Sequence, residues 1–262
     1  MPLTEFQARL ARLLSAARTP DSYLAGGAAL LVEPNTTRYS NDLDYFHDSE
    51  ERVASAFADD QSTLLAAGYE VDLEISQPGY LRATVRKGDG STKVEWAHDS
   101  AWRFLPAVRH ETTGYSLHPI DLAINKVLAL VGRDEPRDFL DTLHVHRTVL
   151  PLGALVWAAA GKDPGYTPLG LLDLLRRRGR YRAEDFERLR LSRPVDLPAL
   201  KTEWREALEQ ADAFIRSRPP GEVGCLYYSR TARGFVAPDP ADQGDALPHY
   251  GRPGGVLPAV SA

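Results

Sequence analysis

Residues 38–46 read RYSNDLDYF, and residues 23–32 read YLAGGAALLV. The first of these stretches predicts a β-strand, on which alternate side chains share one face, so Asp42 and Asp44 point together while Leu43 turns toward the core. Two carboxylates on one face repel each other unless a cation lies between them. Mg²⁺ takes oxygen ligands of this kind together with substrate phosphates. The pair therefore predicts a magnesium site.

The stretch before it predicts a short strand that ends at Gly26 and Gly27, followed by a helical run from Ala28 to Glu33. Glycines let backbone N–H groups approach a phosphate closely. A glycine pair alone often marks a simple turn, and an Asp-x-Asp alone is common. Together, with Arg38 just before the acidic strand, they predict a site for a metal-bound triphosphate.

A third carboxylate, Glu95, lies between Val94 and Trp96 on another predicted strand. If the two apolar neighbours pack inward, Glu95 faces the opposite side of that strand. It then completes a site for two metal ions, which deprotonate an attacking hydroxyl and stabilise a leaving pyrophosphate. The alternative is an exposed strand glutamate with no such task.

The composition is that of an ordinary folded protein, with 262 residues, 43% hydrophobic and 26% charged. The net charge of −5 argues against general nucleic-acid affinity, so any such binding needs a local basic surface. The single cysteine, Cys225, excludes an internal disulfide and a cysteine zinc cage, and it favours a reducing cytoplasm. The N-terminus lacks the pattern of a signal peptide, and no segment has the length of a membrane span.

Strands and helices alternate as far as about residue 118, and the pattern is helical beyond it. We therefore predict an α+β fold, in which a mixed sheet with helices is followed by an all-helical C-terminal half. The predicted domains are residues 1–118, residues 119–218, and an extended tail rich in proline and glycine over residues 219–262.

Lys126 interrupts a strongly apolar helix in a chain that nearly always uses arginine. Lysine is a common point charge for a triphosphate, and Arg133, seven residues on, is expected on the same helix face. Asp138 follows in the next predicted helix. The alternative for this region is surface ion pairing between residues four apart, such as Arg137 with Asp141.

A second cationic stretch follows a predicted helix and includes an interleaved tyrosine. Its arginines are Arg176, Arg177, Arg178, Arg180 and Arg182, continued by Arg188, Arg190 and Arg193. They predict contacts to an RNA backbone. The alternative is a helix end stopped by Gly179, where arginines favour the helix dipole.

With these residues the chain resembles the AbiEii/AbiGii-type nucleotidyltransferase toxin family, within the polymerase-β-like nucleotidyltransferase superfamily. The resemblance runs from about Tyr23 to Leu143 and rests on Gly-Gly…Arg-x-Ser-x-Asp-Leu-Asp and on Lys-x-Leu-Ala-Leu-x-x-Arg-x-x-x-Arg-Asp-x-x-Asp. Many relatives have Gly-Ser where this chain has Gly26-Gly27, so one hydroxyl contact to phosphate is missing. After about residue 150 no family motif is found.

The resemblance implies that Asp42, Asp44 and Glu95 bind metal and are catalytic together with Lys126 and Asp138. The nucleotide-binding residues it implies are Gly26, Gly27, Arg38, Ser40, Lys126 and Arg133. Members of the family look like toxins of bacterial toxin–antitoxin pairs, and some transfer nucleotides from an NTP onto tRNA 3′ ends.

We therefore expect a Mg²⁺-dependent nucleotidyltransferase with an NTP as substrate, tRNA or another RNA as acceptor and a cognate antitoxin as partner. One alternative is the same chemistry on a small acceptor such as an aminoglycoside, and another is a catalytically silent member that binds a nucleotide or a partner. Nothing in the sequence argues for more than a monomer.

Overall fold

The structure, a computed structural model, describes residues 3–30, 38–239 and 244–259. The chain divides into two units. The first comprises residues 1–118 with 253–255, and the second comprises residues 119–252 with 256–262.

The first unit is built on a seven-stranded mixed sheet. Its strands are β1 (Ser22–Ala25), β2 (Asp42–His47), β3 (Glu70–Gln77), β4 (Tyr80–Lys87), β5 (Gly90–His98), β7 (Val108–His110) and β8 (Gly114–Ser116), and the short β6 (Trp102–Arg103) lies outside the sheet. The order across the sheet is β3-β4-β5-β2-β1-β8-β7. The β2–β5 and β1–β8 pairs are parallel, and the other neighbours are antiparallel. The predicted mixed sheet is confirmed.

Among its described residues this unit has the α-helices α1 (Glu5–Leu14), α2 (Gly26–Leu30) and α3 (Glu50–Ala66). Helix α1 begins with a capping box, in which Thr4 and Gln7 satisfy each other's backbone N–H groups. Side chains of α1 and α3, such as Leu10 and Leu64, are fully buried in one core with the inward residues of β2 and β5. The predicted continuation of α2 to Glu33 lies outside the described residues.

A buried polar network crosses that core. Arg18 Nη2 lies 2.5 Å from Asp60 Oδ1, and both side chains are fully buried. The indole N–H of Trp96 donates to the other oxygen of Asp60 at 2.8 Å, and the Arg18 guanidinium lies 4.4 Å from the ring centre of Tyr45. Because Asp60 is on α3, Tyr45 on β2 and Trp96 on β5, this network fixes the helix beneath the two central parallel strands.

The second unit is mainly helical, as predicted. Its helices are α4 (Pro119–Arg133), α5 (Pro136–Thr148), α6 (Leu152–Lys162), α7 (Pro168–Leu175), α8 (Ala183–Phe186) and α9 (Leu197–Ser217). Helix α8 ends at the buried Phe186, because the residues that follow are mostly exposed and supply no continuing apolar stripe. In the part of the chain that the structure describes, no helix is long and apolar enough to cross a bilayer.

The segment predicted as an extended tail contains a small antiparallel sheet instead. Its central strand is β9 (Leu226–Ser229), flanked by β10 (Gly234–Val236) and β11 (Ala246–His249). The glycines and prolines that gave the segment a tail-like composition lie largely in the connections, and the strands themselves are only three or four residues long. Such short strands carry little periodicity, so the prediction of an extended tail was wrong here.

This small sheet is docked against α6. A Cβ on Gly161 would lie 2.2 Å from the carbonyl oxygen of Gly224, so the two backbones touch. The indole N–H of Trp157 donates to the carbonyl of Glu222 at 2.9 Å, and Cys225 is fully buried. The segment that begins at Cys225 is therefore packed on the helical core of the second unit.

After β11 the chain passes through β12 (Arg252–Pro253). Residues 253–255 belong to the first unit, where the N–H of Gly254 donates to the carbonyl of Ala101 at 2.8 Å. This hydrogen bond joins the segment after Pro253 to the residue just before β6.

Candidate active site

Three carboxylates converge on the sheet of the first unit. Asp42 and Asp44 come from β2, Glu95 comes from the parallel neighbour β5, and Asp44 pairs directly with Glu95 in the register. One carboxylate oxygen of each lies within 4.8 Å of those of the other two. Among the residues that the structure describes, no other group of three or more potential metal ligands converges in this way. A set of three carboxylates fits Mg²⁺, which prefers oxygen ligands.

The strand alternation expected from the sequence is present on both strands. Leu43, Tyr45, Val94 and Trp96 are fully buried, whereas the three carboxylates are half-buried on the opposite face. The predicted orientation of Asp42, Asp44 and Glu95 is confirmed. It follows directly from the two-residue period of a strand with one apolar face.

Gly26 forms one wall of this group. It lies where β1 meets α2 and has a φ of +61°, a conformation that L-residues with a Cβ rarely adopt. A Cβ there would lie 1.7 Å from Oδ2 of Asp44. Only glycine lets the strand-to-helix junction pass beside this carboxylate.

Gly27 makes room for two side chains from the loop before β2. A Cβ on Gly27 would lie 2.9 Å from Nη2 of Arg38 and 3.0 Å from Oγ of Ser40. Arg38 and Ser40 are both buried, and Ser40 Oγ lies 3.1 Å from the carbonyl and from Oδ1 of Asp42. The structure thus gives a physical reason for glycine where many relatives have serine, because the space is already filled.

The loop that carries Ser40 is held by helix α1. The side-chain amide of Gln7 donates to the carbonyl of Ser40 at 3.3 Å and to Oγ1 of Thr92 at 3.1 Å. Thr92 is on β5, three residues before Glu95. The first turn of α1 therefore connects the segments that enter both acidic strands.

Arg82 of β4 contacts Glu95 and was missed by the sequence reasoning. It places Nε at 2.8 Å and Nη2 at 2.7 Å from Oε1 of Glu95. Tyr80, two residues earlier on β4, is also near this carboxylate, and burial together with the neighbouring charge raises the pKa of Tyr80 to about 12. A signal was present in the sequence, because residues 87–90 read KGDG, which is typical of a two-residue hairpin turn. Counting back along both strands from that turn pairs Arg82 with Glu95.

Lys126, Arg133 and Asp138 also lie together, on α4 and α5 of the second unit. Lys126 Nζ lies 2.8 Å from Asp141 and 4.0 Å from Asp138. Arg133 donates to both oxygens of Asp138, at 2.6 and 2.9 Å. The expectation that Lys126 and Arg133 share a helix face is confirmed, since both approach the same carboxylate. Their action on a nucleotide stays a prediction.

The carboxylates of this region are not surface groups, as the alternative of surface ion pairs would require. Asp138 is fully buried and Asp141 nearly so, because α5 packs the face that carries them against α4. Lys126 is also buried, at 6% exposure. A buried group of two carboxylates and one ammonium costs desolvation energy, which their mutual contacts offset.

The cationic stretch after α7 has two kinds of arginine. Arg176 pairs with Asp173 at 2.7 Å and with Asp212 at 2.8 Å, and Arg178 pairs with Asp134 at 3.3 Å. These two are therefore occupied in structural ion pairs. The other six predicted RNA contacts are exposed at the surface, namely Arg177, Arg180, Arg182, Arg188, Arg190 and Arg193.

The interleaved tyrosine, Tyr181, belongs to the core of the second unit. Its ring packs 5.3 Å from that of Phe139 and 5.7 Å from that of Phe186, and its hydroxyl donates to Asp134 at 2.6 Å. At 8% exposure the ring is not available for stacking on a base.

A cleft of about 390 Å³ lies beside this stretch, between the residues around Gly179 and helix α9. Its charged lining residues are Arg176, Lys201, Arg205 and Glu209. Cations outnumber carboxylates in the lining by three to one, although Arg176 already has two carboxylate partners.

The fold is that of nucleotidyltransferases. A Helicobacter pylori protein assigned to the nucleotidyltransferases superposes with a TM-score of 0.53 at 16% identity, over 80% of this chain and 93% of that one. MenT4, a nucleotidyltransferase toxin from Mycobacterium tuberculosis H37Rv, superposes with a TM-score of 0.53 at 20% identity, over 82% of this chain and 83% of that one. No family model and no curated protein matches the sequence. The resemblance inferred from the motifs is thus confirmed at the level of fold.

Proposed function

We propose that this protein is a Mg²⁺-dependent nucleotidyltransferase that transfers the NMP group of an NTP to an acceptor hydroxyl. The observation that carries the proposal is the convergence of Asp42, Asp44 and Glu95 beside Gly26 in a nucleotidyltransferase fold. Acidic groups are common on protein surfaces, but a set that is assembled from two paired strands and requires a glycine beside it is much more specific.

In the proposed reaction the acceptor oxygen forms a bond to the α-phosphorus, and the bond from that phosphorus to the bridging oxygen breaks, so that pyrophosphate leaves. Asp42, Asp44 and Glu95 would hold Mg²⁺, which supplies neutralisation of phosphate charge and activation of the acceptor hydroxyl. Glu95 is assigned the further task of accepting the proton of that hydroxyl.

The chain's own donors would orient the triphosphate. We assign the backbone at Gly26 and Gly27, together with Arg38 and Ser40, to the phosphates, since these residues surround Asp42 and Asp44. The hydroxyl of Ser40, which lies beside Gly27, is placed to supply the contact that a serine at that position gives in relatives.

We propose a nucleotide-binding and catalytic role for Lys126, Arg133 and Asp138 of the second unit. Asp138 and Asp141 hold the buried ammonium of Lys126 in one orientation. We further propose that residues 1–118 carry the chemistry and that residues 119–218 recognise the acceptor.

We propose tRNA as the acceptor, with toxicity restrained by a cognate antitoxin in the cytoplasm. The exposed Arg177, Arg180 and Arg182 support an RNA rather than an aminoglycoside, because aminoglycosides are cations and would be repelled by them. The excess of cations in the lining of the neighbouring cleft favours the same choice.

The proposal is tested by incubating the protein with each α-labelled NTP in turn and either total bacterial tRNA or a set of aminoglycosides. We expect label on tRNA with at least one NTP, dependent on Mg²⁺ and abolished by a chelator. Label on an aminoglycoside alone would show the same chemistry with a different acceptor. No transfer to any acceptor, together with intact nucleotide binding, would identify a silent member.

We predict that replacing Arg177, Arg180 and Arg182 together by glutamine raises the KM for tRNA about tenfold, because three phosphate contacts are lost. The change should leave kcat nearly unaltered, and it should reduce the steepness with which KM depends on salt. Steady-state kinetics at several salt concentrations measures both effects.

The matched control replaces three exposed cations elsewhere, Arg9, Arg86 and Lys87, by glutamine. This change removes the same formal charge from the first unit and should alter the KM for tRNA much less. Equal effects of the two triple variants would show that only net charge matters, and the assignment of the arginine surface would be wrong.

A further inference from the structure

We propose that Arg82 is a positioning residue that orients Glu95 for metal binding. The inference rests on the proposed function, because it gives Arg82 a task in the metal site formed by Asp42, Asp44 and Glu95. Arg82 does not belong to the motifs that suggested the site.

The geometry of the contact is specific. Nε and Nη2 of Arg82 both lie within 2.8 Å of the same oxygen of Glu95, Oε1. The guanidinium thus holds the carboxylate at two points through one oxygen, and it leaves the second oxygen to point elsewhere.

Glu95 needs such support more than the aspartates do. Its side chain has one more rotatable bond than that of Asp42 or Asp44, and it lies beside two like charges that repel it. Without a fixed partner, the carboxylate would gain both entropy and distance from the aspartates by turning toward solvent. If Arg82 holds the Glu95 carboxylate in place before the metal ion binds, the free-energy cost of ordering that side chain is no longer part of metal binding.

The opposing effect is the positive charge of Arg82, which repels a metal ion. Arg82 is 31% exposed in its side chain and Glu95 is 19% exposed, so solvent screens the repulsion. The positive charge of Arg82 is also partly compensated by the Glu95 carboxylate to which it is bonded. We therefore expect orientation to outweigh repulsion, as it does for residues that hold metal ligands in other proteins.

Another cross-strand ion pair of β4 differs from the Arg82–Glu95 contact in both length and exposure. Arg86 lies on the same face of β4 and pairs with Asp72 of β3 at 3.4 Å, with side chains that are 46% and 63% exposed. That contact is longer and more exposed, and Asp72 is not part of the carboxylate group. Arg86 is therefore a matched control that carries the same charge on the same strand.

The experiment measures Tb³⁺ binding by sensitised luminescence, with displacement by Mg²⁺, in the full-length protein. Tyr80 and Trp96 are close enough to Glu95 in the sheet to serve as sensitisers. Arg82→Gln should weaken Mg²⁺ binding about tenfold, and Arg86→Gln should leave it unchanged. Arg82→Lys should fall between the wild type and Arg82→Gln, because it keeps the charge but offers a single donor group.

A double-mutant cycle separates orientation from general structural damage. In a Glu95→Gln background, Arg82→Gln should weaken metal binding no further, since the group on which it acts is gone.

Unchanged or tighter Mg²⁺ binding by Arg82→Gln would overturn the inference, and so would an equal loss in Arg86→Gln. Failure of the underlying site is recognised separately. If Asp44→Asn binds Tb³⁺ as the wild type does, the ion lies elsewhere and the proposed metal site itself is wrong.

Discussion

Asp44→Asn is expected to lower nucleotidyl transfer by about a thousandfold or more, equivalent to about 4 kcal/mol of transition-state stabilisation. The amide is the same size as the carboxylate but carries no charge, so the site loses one anionic ligand while the strand keeps its shape. The fold should survive, because Asp44 lies on the half-buried face of β2 and its loss relieves repulsion from Asp42 and Glu95. Transfer of α-label to tRNA and the midpoint of thermal unfolding measure the two effects.

The control for this variant is Asp89→Asn in the turn between β4 and β5. Asp89 is exposed and lies outside the carboxylate group, so its replacement removes the same charge without touching the site. We expect wild-type transfer from it. Transfer by Asp44→Asn within tenfold of the wild type would mean that the carboxylate group does not carry the reaction.

Gly26→Ala is expected to abolish transfer as completely as Asp44→Asn does, although residue 26 has no side chain to contribute. The added Cβ would lie 1.7 Å from Oδ2 and 2.6 Å from Cγ of Asp44, so the carboxylate must rotate away from Glu95 and Asp42. The alanine must also adopt a left-handed backbone conformation, which costs about 1–2 kcal/mol. Urea unfolding and the labelling assay together measure stability and activity.

Gly88→Ala measures the stability cost of a left-handed alanine separately from the clash with Asp44. Gly88 has a φ of +58°, almost the same as Gly26, but a Cβ there would meet nothing within 4 Å. Gly88→Ala should lose about 1–2 kcal/mol of stability and keep full activity. If Gly26→Ala retains activity comparable to that of Gly88→Ala, the close approach of Gly26 to Asp44 has no bearing on the reaction.

The orientation of the three carboxylates was predictable from sequence because it depends only on local alternation. Leu43 and Tyr45 on one strand, and Val94 and Trp96 on the other, fix which face is buried, and the acidic residues must take the opposite face. The sequence predicted that Gly26 lies at the end of a strand near the site, but it did not predict the contact between Gly26 and Asp44. Its contact with Asp44 depends on where the antiparallel pairing of β1 with β2 places Ala25, which is opposite Asp44.

Contacts between elements were harder to predict. Arg82 reads as an ordinary strand arginine until the register of β4 with β5 is known. Asp138 and Asp141 are spaced like members of surface ion pairs, and only the packing of α5 on α4 shows that they are buried around Lys126. In both places the sequence gives the residue types, and tertiary pairing decides their partners.

The parallel pairing of β2 with β5 has a consequence for the order of assembly. Asp42 pairs with Lys93 and Asp44 with Glu95, so the partners are roughly fifty residues apart in the chain, and α3, β3 and β4 lie between them. During synthesis from the N-terminus, β2 can pair with β1 as soon as both have emerged, but Glu95 reaches the aspartates only after the whole β4–β5 hairpin has been inserted beside β2. The group of three carboxylates is therefore a non-local, late-forming feature, and a nascent chain that ends before β5 has no such site.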